Sequence, residues 1–292
     1  MKAITEAALQ APADGGFKGA MRAEWDAAAQ GWNEWGPAIA TWLRTSTDAM
    51  LEAAAIGPGA RVLDVAAGAG DQTLDIARRV GPAGSVLATD LSAGILAFAA
   101  ENARRAGLAN VTTRVADGES LPPDTTGFDA AFCRLGLMFF PQPLRGLHGM
   151  YRALRPGGRA AVLVFGGPQA NPCIVALVAT ALKHAGLPPR DPWQPGGLLS
   201  LGKPGLTDAL FAEAGFRDVG TRVLAAPFRL ASVDDYLGFI RASAGPILQI
   251  VNRLEPAARD AAWAEIAERL HAFDTTDGWE GPNELLLTVG HR

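Results

Sequence analysis

Short apolar runs alternate with longer amphipathic stretches through the first 165 residues, and this alternation predicts the elements. Residues 61–66 (RVLDVA), 85–90 (SVLATD), 111–117 (VTTRVAD), 128–133 (FDAAFC) and 159–165 (RAAVLVF) read as strands. Helical patterns fill 71–80, 92–105 and 142–154, with Ser92 as a cap, Gly107 as a stop and Pro156-Gly157-Gly158 ending the last. Strands separated by helices of this length predict a parallel sheet. Beyond Gly166 the reading gives a helix at 172–186, a loop at 187–205, a helix at 206–214 and a strand at 216–224. Residues 232–273 read as helical with a break at Gly245-Pro246, and 284–289 as a last strand. Ahead of the sheet, residues 1–19 read as frayed. Residues 20–56 read as helix interrupted near Gly36-Pro37. Trp25, Trp32, Trp35 and Trp42 follow one another at intervals of 7, 3 and 7, which places them on one helix face.

The polar positions interrupting this pattern gather at strand ends. Asp64 lies inside the first strand, where a carboxylate requires a partner; a cationic or amine-bearing ligand beside the turn would supply one. The turn Ala66-Ala67-Gly68-Ala69-Gly70 then opens a helix whose free N–H groups favour negative charge. Gly68-x-Gly70-x-x-Thr73 is a dinucleotide fingerprint with Thr in place of the third glycine. Asp90 and Asp117 end the second and third strands, on the edge where open α/β sheets bind ligands. Asp90 suits a ribose diol. Asp117 suits an exocyclic amine, with Gly118 letting the backbone approach a flat base.

From Gly57 to Gly166 these motifs occur in the order of a known family. The chain resembles the class I S-adenosylmethionine-dependent methyltransferases, nearest the ubiquinone/menaquinone biosynthesis C-methyltransferase-like group. The resemblance rests on the Asp64–Gly70 turn, Asp90, the run Asp117-Gly118-Glu119-x-Leu121-Pro122, and Arg155-Pro156-Gly157-Gly158. It implies a Rossmann-like α/β fold: a seven-stranded, mostly parallel sheet with helices on both faces, the last strand antiparallel between the fifth and sixth. It implies S-adenosylmethionine as cofactor. Asp64, Ala66, Gly68 and Gly70 would cradle its methionine end, and Thr73 would add a polar contact. Asp90 would hold the ribose, Leu91 would pack on the adenine, and Asp117 and Gly118 would read its edge. Two departures matter. Ala66 stands where the first glycine usually stands. Arg134 and Met138-Phe139 replace a small hydroxyl residue and an Arg-Asn pair, which points away from quinone precursors as acceptors.

The expected organisation is an N-terminal helical lid at 1–56 and a methyltransferase domain at 57–292, with substrate-side insertions at about 166–210 and 225–283. The expected function is methyl transfer by in-line displacement to a small apolar or aromatic acceptor. Trp32, Trp35, Trp42, Leu137, Met138 and Phe139 are the expected pocket residues, Trp for its attraction to a sulfonium as well as for packing. Such a reaction needs mainly positioning and desolvation, so no catalytic residue is singled out. His148, His184, Tyr236 and Arg134 are candidates, each with a purely structural alternative. Arg134 could hold an acidic substrate group or the cofactor carboxylate, or pair with Asp117 or Glu119.

Composition narrows the partners. Net charge is −4 with no basic cluster, against a phosphate-backbone ligand. Cys133 and Cys173 have no metal spacing, the four histidines form no ligand pair, and no metal is expected. The N-terminus lacks a signal-peptide core and no apolar run reaches the ~18 residues of a membrane span, so a cytoplasmic protein without a membrane partner is expected. A homodimer is compatible with all of this. Two other function classes compete. A nicotinamide-dependent oxidoreductase would carry glycine at 73 and often a Tyr-x-x-x-Lys pair; Tyr151 and Tyr236 are followed at that spacing by Arg155 and Ile240. A non-catalytic adenosylmethionine-binding regulatory protein would often have lost the acids that persist here.

Overall fold

The computed structural model describes residues 15–292. Seven strands form one sheet in the order β3-β2-β1-β4-β5-β10-β6. They are β1 (Arg61–Val65), β2 (Ser85–Asp90), β3 (Val111–Val115), β4 (Phe128–Arg134), β5 (Leu154–Phe165), β6 (Arg217–Ala225) and β10 (Glu284–His291). The first five strands run parallel, and β10 runs antiparallel to both β5 and β6. The central strands are sealed on both faces, with Val62, Leu63, Ala130, Phe132 and Val162 without access to water. That is why they read as continuous apolar runs.

The helices between them are α3 (Asp71–Val80), α4 (Ala93–Arg105), α5 (Pro143–Ala153), α6 (Pro172–His184) and α7 (Leu206–Glu213). Their starts follow local chemistry. Ser92 accepts from Ile95 N at 3.0 Å as the cap of α4. Pro143 and Pro172 occupy first-turn positions that need no N–H donor. Because β1, β2 and β3 progress outward on one side and β4 returns to the other side of β1, the strand order reverses between β1 and β4. Open α/β sheets bind ligands at such a reversal.

Ahead of β1 lie α1 (Gly15–Glu34) and α2 (Gly36–Ala53), broken at Trp35-Gly36-Pro37 as expected. α1 begins at Gly15, so residues 15–19 are helical rather than frayed; the rest of the expected frayed stretch lies outside the described residues. It packs on α4 and on α8 (Val233–Ser243). The predicted helical stretch 232–273 is divided twice, giving α8, α9 (Gly245–Val251) and α10 (Pro256–Leu270), because Pro256 starts a new helix after the turn at Asn252–Glu255. A second sheet was not foreseen: β7 (Phe228–Leu230), β8 (Asp274–Thr275) and β9 (Gly278–Gly281) pair antiparallel in the order β7-β9-β8. These strands are two to four residues long, too short to show a period. Strand β5 also starts earlier than expected. Leu154 already pairs with Phe128, and Arg155–Gly158 bulge out before pairing resumes at Arg159.

Helix α1 crosses α8 at Gly31. A Cβ there would sit 2.1 Å from the Ala242 carbonyl oxygen, so the crossing distance depends on the absent side chain. We expect Gly31→Ala to lever α1 off α8 at a cost of about 1–3 kcal/mol. Thermal melting should fall by several degrees, and tryptic cleavage at Arg22 should accelerate. Unchanged melting and cleavage would mean that α1 is not seated on α8 in solution.

Candidate active site

Two cavities adjoin at the carboxyl ends of β1, β2 and β4. The first holds about 940 Å³ free of protein atoms, part of it open to solvent. Its walls include Ala66, Gly68, Gln72, Asp90, Leu91, Gly118, Arg134 and Phe140, with Lys18, Met21, Trp25 and Trp32 of α1 closing the outer side. Four carboxylates (Asp71, Asp90, Asp117, Glu119) face two cations (Lys18, Arg134), so the lining favours a ligand with positive charge. The second cavity, about 730 Å³, is walled by Trp42, Met138, Phe165, Ile174, Phe228, Tyr236, Phe239 and Ile247. Among the described residues no carboxylate, lysine, arginine or histidine lines it. Trp25, Trp32, Leu135 and Phe139 line both cavities and form the wall between them.

The glycine-rich turn is built on Asp64. This carboxylate is fully buried and accepts Gln72 Nε2 at 2.7 Å and Thr73 Oγ1 at 2.6 Å. The expectation that a ligand amine would partner Asp64 is therefore corrected: the start of α3 partners it. Thr73 faces Asp64, not the cavity, and neither Asp64, Gly70 nor Thr73 lines it. Gly70 instead gives room for α4, since a Cβ there would lie 2.9 Å from Ala99 Cβ. Gln72, which the sequence reading missed, does line the cavity. Its amide nitrogen is spent on Asp64, while its Oε1 is buried without a partner among the described residues. Burial raises the Asp64 pKa to about 6 against the opposing effect of the Thr73 and Gln72 hydrogen bonds.

The other strand-end acids are held by backbone. Asp90 lines the cavity, taking Gly68 N on one oxygen and Ser92 N on the other, each at 3.0 Å. Burial raises its pKa although these N–H bonds oppose the shift. Asp117 takes Glu119 N at 2.9 Å on Oδ1, and Lys18 Nζ at 2.6 Å and Ser120 Oγ at 3.0 Å on Oδ2. Lys18 also pairs with Glu119, so α1 is tied to the cavity rim by an ion pair that sequence spacing could not show. Burial acts to raise the Asp117 pKa, but the Lys18 ammonium and the two other hydrogen bonds hold it below the usual carboxylate range.

Arg134 pairs with Asp71 and donates to Thr47 Oγ1 at 2.8 Å. Asp117 and Glu119, one alternative considered for Arg134, pair with Lys18 instead. Two residues at the turns are left-handed without being glycine: Ala66 (φ 53°) and Leu135 (φ 54°). Such strain concentrates at functional sites.

The aromatic residues divide. Trp32 lies beside the glycine turn, its Nε1 3.3 Å from where a Gly68 Cβ would be. Trp42 lines the second cavity but is tied down, donating to Ala226 O at 2.7 Å and stacking on Phe228 at 4.6 Å. Trp35 lines neither cavity; it packs edge-on against Phe239. Leu137 is buried under the turn and lines neither, whereas Met138 lines the second cavity and Phe139 lines both. Trp25, Trp32 and Trp42 thus border the second cavity, while Trp35, at the break between α1 and α2, does not.

The catalytic candidates scatter. His148, half-buried on α5, lines neither cavity. His184 ends α6 and meets Glu265 Oε2 at 2.8 Å beside Lys183 and Arg269, away from both cavities. The 187–205 loop that follows it returns to the second cavity: Leu199 and Leu201 are buried, and Ser200 Oγ donates to Met138 O at 2.8 Å. Tyr236 does line the second cavity. No group of acids, histidines and cysteines that could hold a metal occurs among the described residues, and no described helix is long and apolar enough to cross a membrane.

Residues 62–158 match the family described as "Methyltransferase domain". The sheet, its strand order and this match define a class I S-adenosylmethionine-dependent methyltransferase fold. Within that class the chain is similar to the ubiquinone/menaquinone biosynthesis C-methyltransferase UbiE. It is 37% identical to that of Pasteurella multocida over 124 residues, covering 42% of this chain and 46% of the relative. It is 36% identical to that of Pseudomonas aeruginosa over 122 residues, covering 41% and 48%. The chain thus matches about half the length of these curated relatives. Among solved structures, YcgJ from Bacillus subtilis superposes with a TM-score of 0.57 at 18% identity, over 85% of this chain and 98% of that one. The [4+2]-cyclase SpnF superposes at 0.52 and 21% identity, over 91% and 95%. These two establish the fold.

The buried Asp64 makes stability depend on pH. Its folded pKa of about 6 lies above the ordinary value of 3.8, so the folded state keeps a proton that the unfolded state has lost between these values. Stability is greatest below the lower pKa and falls as pH rises toward the upper. Asp64→Asn removes the titration while Gln72 can turn its amide to present Oε1. From pH 4 to pH 8 we expect the wild type to lose about 2–3 kcal/mol relative to Asp64→Asn. Urea denaturation at both pH values measures this; parallel behaviour would refute it.

Proposed function

We propose that this protein is an enzyme that transfers a methyl group from S-adenosylmethionine, held in the first cavity, to a small apolar or aromatic acceptor held in the second. The observation that carries this reading is the pair of adjoining cavities, one lined with strand-end acids and the other without charge, separated only by Trp25, Trp32, Leu135 and Phe139. The lining suits the cofactor in three ways. Gln72 Oε1 is a buried acceptor lacking a donor, which an ammonium would provide. Asp90 stands at the end of β2 for two ribose hydroxyls. Gly68 and Ala66 leave the turn open for the methionine chain, and Leu91 and Gly118 offer flat apolar and backbone surface for the base. Arg134, engaged by Asp71 and Thr47, has further N–H groups for the cofactor carboxylate.

Bound there, the cofactor supplies a methyl group on a positively charged sulfur, ready for in-line displacement. The task left to the chain is to align, to desolvate and to favour that charge. Trp25 and Trp32, edge to face at 5.7 Å, place indole rings between the cavities, and an aromatic face near a sulfonium contributes about 0.5–2 kcal/mol. Among the described residues no carboxylate or histidine lines the apolar cavity to act as base, so the acceptor this site suits carries its nucleophile already formed, or loses its proton after attack. Residues 15–53 serve as the wall and cover of the site, and the segments 166–210 and 225–283 build the acceptor side. A homodimer and a cytoplasmic location are compatible with this reading. The nicotinamide and regulatory readings have no comparable observation in their favour.

Calorimetry against S-adenosylmethionine and NADH, followed by a methyl-transfer screen over phenols, quinols, amines and thiols, tests the proposal. Binding of NADH alone would overturn it. Asp90→Ala should weaken S-adenosylmethionine ten- to hundredfold, since a hydrogen bond to a charged group contributes about 1.5–3 kcal/mol. Gln72→Leu should weaken it about tenfold and spare S-adenosylhomocysteine no better, because both carry the ammonium. Unchanged dissociation constants would remove these roles.

A further inference from the structure

The second cavity holds one polar group whose presence packing does not explain. Tyr236 lies on α8, only 5% exposed, with its ring stacked on Trp279 at 4.3 Å and edge-on to Phe228 at 6.0 Å. Every one of these contacts is made by the ring, and phenylalanine would make them equally. The hydroxyl makes no hydrogen bond among the described residues. The hydroxyl keeps some accessible surface and Tyr236 lines the cavity, so a molecule held there can reach it.

The neighbouring polar groups are accounted for differently. Trp42 Nε1 donates to Ala226 O, Ser243 Oγ donates to Phe239 O at 2.6 Å, and Asn283 Nδ2 donates to Gly281 O at 3.2 Å. Each spends a donor on backbone. The indoles of Trp25 and Trp32 belong to the wall shared with the first cavity. Tyr236 lies outside that wall and brings to the cavity a hydroxyl donor with no partner among the described residues. Burial pushes its pKa well above the ordinary tyrosine value, with the nearby Cys173 adding to the shift, so the phenol stays protonated at any physiological pH.

We infer that Tyr236 is an acceptor-binding residue: its hydroxyl donates a hydrogen bond to an oxygen of the methyl acceptor. The acceptor class this implies is a ring-bearing, otherwise apolar molecule with a carbonyl or comparable oxygen at the end facing α8. The inference rests on the proposal that the second cavity is the acceptor site. A single directional bond within apolar walls would fix which end of such a molecule faces the shared wall, and hence which atom is methylated. A site built to hydrogen-bond an oxygen discriminates against the analogue lacking it, because the donor is then left unpaired.

The test uses a matched probe pair, 1-tetralone and tetralin, which differ by a carbonyl oxygen. Binding is followed by tryptophan fluorescence in the full chain, with and without S-adenosylhomocysteine. Wild type should prefer tetralone about tenfold, the effect of one buried hydrogen bond. Tyr236→Phe should abolish that preference and leave tetralin affinity unchanged, which also shows that the cavity remains intact. A retained preference, equal loss of both probes, absence of preference in the wild type, or failure of both probes to bind would each overturn the inference. Cofactor binding is scored separately by calorimetry, so a failed methyltransferase reading shows as absent S-adenosylmethionine binding and not as a changed probe ratio.

Discussion

Asp64 sits in β1, an interior strand of the sheet, with no access to water, and its two oxygens are met by the second and third residues of the following helix, Gln72 and Thr73. Those bonds offset the cost of burying a carboxylate and fold the chain sharply back at the end of β1. The tight turn between them follows from this tether. Gly68 offers its N–H to Asp90, which joins the end of β1 to the end of β2. Asp90 in turn binds Ser92 N, whose side chain caps α4. One buried acid thus sets the position of the turn, the second acid and two helix starts.

A second constraint operates across the strand reversal. Ala66 after β1 and Leu135 after β4 both take left-handed backbone angles, a cost of about 1–2 kcal/mol for residues other than glycine. Gly136 lies so close that a Cβ on it would meet Ala66 Cβ at 2.5 Å. The two turns interlock, and each holds the other in its strained form. Arg134, just before the second turn, is pinned by Asp71 just after the first. The same interlock brings Leu135 into the wall between the polar and the apolar cavity.

The separation of charge between those cavities says more about chemistry than the fold does. The superposition with a [4+2]-cyclase shows that this scaffold is not confined to a single reaction. In this chain the acids stop at the shared aromatic wall, and beyond it lie apolar side chains and a few neutral polar groups. Water and protons have little foothold there, which suits a reaction limited by alignment and desolvation.

Local chemistry was legible in the sequence. The five parallel strands, the cap at Ser92, the break at Gly36-Pro37 and the strand-end acids all follow from periodicity and from residues whose backbone preferences act over a few positions. So did the antiparallel last strand, through resemblance to a family. Pairings between residues distant in sequence were not legible. Nothing local indicates that Lys18 meets Asp117, that Arg134 takes Asp71, or that Gln72 shields Asp64 from the cavity. The short strands β7, β8 and β9 carry no period, and the bulge at Arg155–Gly158 depends on its partner strand. The sequence by itself determined the five parallel strands and the edge at which their acids gather, because apolar spacing and turn residues act locally. Only the tertiary structure decided which tryptophans line a cavity, which merely pack, and that the Tyr236 hydroxyl has no partner among the described residues, because these depend on how α1, α8 and the second sheet close over one another.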